Sequence, residues 1–169
     1  MIGSKAMLAI VAVLGLGAGG VAIQQGVFTR TPPTDAAAKA LLPVTITSAN
    51  GAHVFQVERA TTAAEQARGL MYRTDLKPDR GMLFAPYPAG GGGPREANFW
   101  MKNTPSPLDI VYIRADKTIA RIAENTVPFS EAPIPSGEPV AAVLEIMGGR
   151  AGELGIAEGD RVEWTDKAG

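Results

Sequence analysis

The sequence predicts a β-rich α+β domain: a mainly antiparallel, curled sheet or partly closed barrel with one or two short helices. Three observations carry this. Roughly seven or eight short apolar or alternating runs are separated by Gly, Pro, Asn and Asp turn signals, the pattern of short strands. Helix-start chemistry is concentrated at Thr62-Ala63-Ala64-Glu65, a capping-box pattern. The chain has 169 residues, which is one domain of the usual size of about 100–150 residues with a leader in front.

The leader comes first. Lys5 precedes an unbroken small and apolar run from Ala6 to Ile23, the order of a secretory signal. Gly20-Val21-Ala22 offers a small-x-small cleavage site. A membrane span needs about 20 apolar residues, so the same run is close to the length of an anchor. Residues 1–25 therefore read as a signal peptide or an N-terminal anchor. Both readings export the rest of the chain, because Lys5 stays on the cytoplasmic side. The expected location is periplasmic or extracellular, with the membrane met only through residues 6–23. Residues 26–40, rich in Thr, Pro and Ala, read as a flexible tether, and 41–169 as a single globular domain.

Within the domain, Val44 to Thr47 alternates as a strand, and Asn50-Gly51 predicts a hairpin with positive φ at both residues. His53 to Glu58 is the return strand, and its His53, the only histidine, falls on the polar side. A short helix follows the capping box to Arg68, and Gly69 ends it. Met82 to Ala85 is a buried strand. Pro88 to Glu96, with four glycines, is a mobile connection, since no Gly-Lys-Ser/Thr follows to make a phosphate cradle. Ala97 to Met101 and Leu108 to Ile113 are strands around a Lys-Asn-Thr-Pro bend. Thr118 to Ala123 returns from a turn at Ala115-Asp116-Lys117. Asn125 to Glu138 is expected to be a long loop because of its prolines. Val140 to Met147 is a buried strand, Arg150 to Leu154 one helical turn, and Arg161 to Trp164 the last strand.

Composition excludes several chemistries. There is no cysteine, so disulfides, thiolate metal sites and cysteine nucleophiles are ruled out, and a single histidine cannot build a His-based zinc site. Net charge is −1 with both signs interspersed, so no basic stripe is offered to nucleic acid. No nucleophile motif such as Gly-x-Ser-x-Gly occurs. No metal and no cofactor is expected, and the chain is expected to be monomeric.

Two carboxylates stand out. Asp109 in Leu108 to Ile113 and Glu145 in Val143 to Met147 sit in strands apolar on both faces, which are central strands. Such a carboxylate is paired or neutral, because an isolated buried charge costs too much. Arg68, Arg73, Lys102 and Arg150 are candidate partners. Structural ion pairs explain the pattern more often than acid–base sites do. Met71, Met82, Met101 and Met147 adjoin core segments, where Met fills gaps, and show no clustered Cu(I) spacing. Trp100 is expected in the core, since aromatics dominate core burial.

Gly69-Leu70-Met71-Tyr72-Arg73, Gly81-Met82-Leu83-Phe84, Phe99 to Thr104, Pro107 to Ile110 and Val143-Leu144-Glu145, in this order and spacing, resemble the domain of unknown function (DUF) 192 family of small, often exported prokaryotic proteins. The resemblance runs from Leu41 to Trp164. It implies a compact β-rich α+β domain and no established activity, so it supplies no catalytic residues. The Gly90-to-Gly93 stretch looks like an insertion in a variable connection.

Two classes of function remain. The first is a non-enzymatic binding or accessory module of the cell envelope, taking a small ligand or envelope component. Its groove would use Arg73, Trp100, Lys102, Asn103, Asp109 and Glu145. The second is a hydrolase using Asp109 and Glu145 with Lys102 and Arg73. The lack of a recognisable nucleophile favours the first.

Overall fold

Two-residue alternation and turn chemistry build most of the elements at their expected places. The computed structural model describes residues 40–165. The leader, its cleavage site, the tether up to residue 39 and the last four residues, 166–169, lie outside the described residues. In chain order the strands are β1 (Leu42–Ser48), β2 (Gly51–Ala60), β3 (Arg80–Phe84), β4 (Arg95–Phe99), β5 (Leu108–Ile113), β6 (Ile119–Ala123), β7 (Ile134–Val140), β8 (Ala142–Met147) and β9 (Arg161–Trp164). The helices are α1 (Ala63–Arg68) and α2 (Arg150–Leu154).

Seven strands form one sheet in the order β6-β5-β8-β3-β2-β1-β9, and β4 pairs with β7 in a second, two-stranded sheet. Among the described strands only β2 and β3 pair in parallel. That pair needs a crossover rather than a tight turn, and α1 with the loop after it supplies one. The two edges of the large sheet meet at one end. Thr118 bridges Arg161, and the Val162 N–H donates to the Lys117 carbonyl. The sheet is thus the expected curled half-barrel.

Both faces of the sheet are covered, which is why β5 and β8 are apolar apart from Asp109 and Glu145. One face gathers residues from all seven strands, among them Val44, Phe55, Leu83, Val111, Ile119, Leu144 and Val162. The other packs Met82, Phe84, Ile110, Tyr112 and Val143 against Leu70, Ala97, Met101 and Val140, brought by the loop after α1, the two-stranded β4–β7 sheet and the bend after β4. The expected core positions of Met82 and Met101 are found.

Three expectations are corrected. The β1–β2 hairpin turns on Ala49-Asn50, and Gly51 opens β2 with φ 119° while pairing with Ser48. The Ser48 hydroxyl accepts the Asn50 N–H at 3.1 Å, a local turn that spares Asn50 a positive φ. The proline-rich stretch expected as loop contains β7. Its prolines are tolerated because β7 pairs only with β4, so a missing N–H costs no second ladder. Trp100 is not core: it is 46 % exposed, just beyond the end of β4, while its neighbour Phe99 turns inward onto Phe84, Tyr87 and Tyr112.

Candidate functional site

The bend from Trp100 to Pro107 lies between two other loops and is knitted to both through the backbone. The Tyr72 N–H donates to the Asn103 carbonyl at 2.8 Å, the Phe129 N–H to Thr104 at 3.1 Å, and the Met101 N–H to Ser130 at 2.8 Å. Tyr72, Asn103 and Phe129 have φ of 65°, 54° and 60°. Such values are rare for bulky residues and persist only where the surroundings impose them. Tyr72, Trp100, Val127 and Phe129 are exposed around this junction, which gives the bend an apolar rim.

Beside the bend opens a cavity of about 550 Å³. Its walls come from α1 and the turn after it, from Phe84 to Gly90, and from β4 and Trp100. Leu70, Phe84, Tyr87, Phe99 and Trp100 make it largely apolar. At its floor is Glu145, 5 % exposed, on the central strand β8 between Ile110 of β5 and Met82 of β3. Its Oε2 has no hydrogen-bond partner among the described residues. Burial pushes the carboxyl up to about 8, against a smaller opposing effect of the Leu70 backbone N–H. Glu145 is therefore mostly neutral at pH 7, a carboxylic acid able to donate a hydrogen bond.

Gly69 lies directly against this acid. The capping box at the start of α1 is fully formed, with Glu65 N–H donating to the Thr62 hydroxyl at 3.2 Å and Thr62 N–H to the Glu65 carboxylate at 2.9 Å. Gly69 ends the helix with φ 49° and ψ −137°. A Cβ there would come within 3.3 Å of the Phe84 ring and 3.5 Å of Glu145 Oε2.

Asp109 is fully buried but lies elsewhere. It pairs with Ile146 in the β5–β8 register, while Glu145 pairs with Ile110, so neighbouring positions put the two carboxylates on opposite faces of the sheet. Its partners are not the expected cations. Oδ1 accepts the N–H groups of Asn125 at 2.7 Å and Gly149 at 2.8 Å, and Oδ2 that of Ala151 at 2.8 Å. One carboxylate thereby ties the start of the β6–β7 loop and the first turn of α2 to β5, a structural use of charge-assisted hydrogen bonds.

The other residues singled out from the sequence are dispersed. Arg73 pairs with Glu58 at 2.6 Å and borders a separate cleft of about 190 Å³. Lys102 lies 5.1 Å from the centre of the Trp100 ring and 3.7 Å from the Glu131 carboxylate. Asn103 holds the bend, its amide 3.9 Å from the Met71 sulfur. Arg150 pairs with Glu153 at 2.6 Å. Of the six groove candidates only Trp100 and Glu145 line the large cavity. Sequence reading did not pick out Arg95, Glu96 or Tyr87 there, nor Arg68 except as an ion-pair partner. Tyr87 stands in a loop, Arg95 and Glu96 at the start of β4 and Arg68 at the end of α1, positions that carry no periodic signal.

The fold is thus a curled half-barrel with a capped crossover helix and a cleft above a buried carboxyl. The chain belongs to the DUF192 family, described as "Uncharacterized ACR", which matches residues 44–164. It is similar to a solved protein of unknown function from Novosphingobium aromaticivorans, at 48 % identity over 77 % of this chain and 89 % of that one, with TM-score 0.71. It is also similar to a protein from Sinorhizobium meliloti called a "putative transcription regulator", at 45 % identity over 75 % and 95 % of the two chains, with TM-score 0.68. No curated protein matches the sequence.

Proposed function

We propose that this protein is an exported, non-enzymatic binding module of the cell envelope that holds a small molecule in the cavity above Glu145. The observation that carries the reading is the unpartnered Glu145 oxygen at the cavity floor. A buried polar atom without a partner costs stability, on the order of 1–3 kcal/mol, and a ligand acceptor facing it would recover that cost. The volume of about 550 Å³ falls within the range of about 300–1,000 Å³ typical of small-molecule sites. Export rests on Lys5 followed by Ala6 to Ile23. Transcription regulation is said only of the Sinorhizobium protein, and a net charge of −1 does not favour binding to nucleic-acid phosphates.

A second reading, an enzyme with Glu145 as general acid, draws on the raised pKa of the same group. The expected second carboxylate, Asp109, faces away from the cavity, and the acid that does line it is Glu96, at the exposed end. The test is a thermal-shift screen of small metabolites and envelope fragments on the full chain, with Glu145→Gln and Glu145→Leu beside it. A ligand of the binding module should stabilise the wild type and the Gln variant, which keeps a donor, and not the Leu variant. Turnover of a hit by the wild type, lost in Glu145→Gln, would replace this reading with the enzyme.

A further inference from the structure

The charges at the mouth of the cavity bear on what it holds. Arg68, at the end of α1, and Arg95, at the start of β4, line it from two different elements, and both are exposed. Neither has a side-chain hydrogen bond or ion pair among the described residues, whereas Arg73, Arg114, Arg150 and Arg161 each meet a carboxylate. Glu96 is the one acid lining the mouth beside them. Glu65, one turn back on α1, is held in its cap by the N–H groups of Thr61 and Thr62. The cavity thus has an electropositive mouth, an apolar aromatic middle and a single carboxyl at depth.

We propose that the ligand is a small organic anion: a carboxylate or phosphate monoester on an apolar body, with a hydrogen-bond acceptor at the end away from the charge. The inference rests on the binding-module reading above. The anionic group belongs at the mouth, where two guanidinium forks match its oxygens and water still reaches it. At the floor a second acid would meet the Glu145 oxygen and be stripped of water, which is costly. The acceptor belongs there instead, since burial keeps Glu145 protonated and able to donate. Trp100, Tyr87 and Phe99 provide flat surfaces for the body between the two ends.

The test uses a matched pair of probes, para-methoxybenzoate and para-methoxybenzyl alcohol, which share the ring and the ether acceptor and differ in charge. Each is titrated into the full chain and followed by NMR at the Gly69 and Leu70 amides and the Trp100 indole. The anion should bind at least about tenfold more tightly, the worth of one charge-assisted hydrogen bond. The advantage should shrink with salt and disappear in an Arg68→Gln/Arg95→Gln protein, whose changes are on the surface. Equal binding of both probes would overturn the anion inference and leave the cavity as a site for neutral ligands. An anion advantage that survives the double substitution would overturn it too, since other groups would be responsible. If neither probe moves these signals, the binding module itself falls with it.

Discussion

Glu145 and Asp109 are both carboxylates in central strands, yet their surroundings make them opposites. Glu145 has its pKa raised from 4.5 to about 8 by burial. The folded protein therefore holds a proton that the unfolded chain releases above pH 4.5, and stability falls as pH rises between about 4.5 and 8. Across that window the wild type should lose up to about 1.4 kcal/mol per pH unit relative to Glu145→Gln, read by urea unfolding at several pH values. Parallel curves for the two proteins would mean that Glu145 is solvated. Asp109, with three backbone donors, should behave as a structural anchor. Asp109→Asn puts an NH2 group where an N–H must be accepted and should cost about 1–3 kcal/mol by the same measurement. Trp100→Ala, at an exposed site, should cost under about 1 kcal/mol, and a loss of several would show the indole to be packed in solution.

At the scale of elements, the site depends on how closely strands and loops approach. Gly81 of β3 lies against the Glu145 backbone of β8, and a Cβ there would collide with the Glu145 carbonyl oxygen and crowd Ile146. Gly81→Ala should push the strand carrying the acid aside and destabilise the fold by about 1–3 kcal/mol, as overpacking does, and the Glu145 carboxyl signal should shift in NMR. The capping box works on the opposite wall. Thr62→Ala removes the acceptor for the Glu65 N–H and should cost about 1 kcal/mol, seen as a lower unfolding midpoint. The bend after β4 shows strain collected where three loops meet. The positive-φ residues there are Tyr72, Asn103 and Phe129, and they are held by backbone bonds, Tyr72 N–H to the Asn103 carbonyl and Phe129 N–H to that of Thr104, rather than freed by glycine.

For the whole molecule, the core is closed within the described residues: all seven strands of the large sheet share one face, and the two-stranded β4–β7 sheet covers the other. A chain cut to residues 41–164 should unfold in one cooperative thermal transition; a broad, gradual melt would mean that flanking residues complete the fold. Export is checked by fractionating cells that express the full chain, and full-length protein in the soluble cytoplasmic fraction would contradict it. By itself the sequence determined most of the strands, the capped helix and the burial of both carboxylates, because alternation, capping and turn chemistry act between neighbours a few residues apart. It also placed the Lys-Asn-Thr-Pro bend between two strands. Tertiary structure alone decided the rest. The β5–β8 register sent Asp109 and Glu145 to opposite faces. The end of β4 turned Trp100 outward, and an edge position let a proline-rich stretch become β7. The crossover helix brought Arg68 to the same cavity as Arg95, and its end set Gly69 against Glu145. These outcomes depend on contacts between segments far apart in the chain, and no local pattern encodes which distant segment a residue will meet.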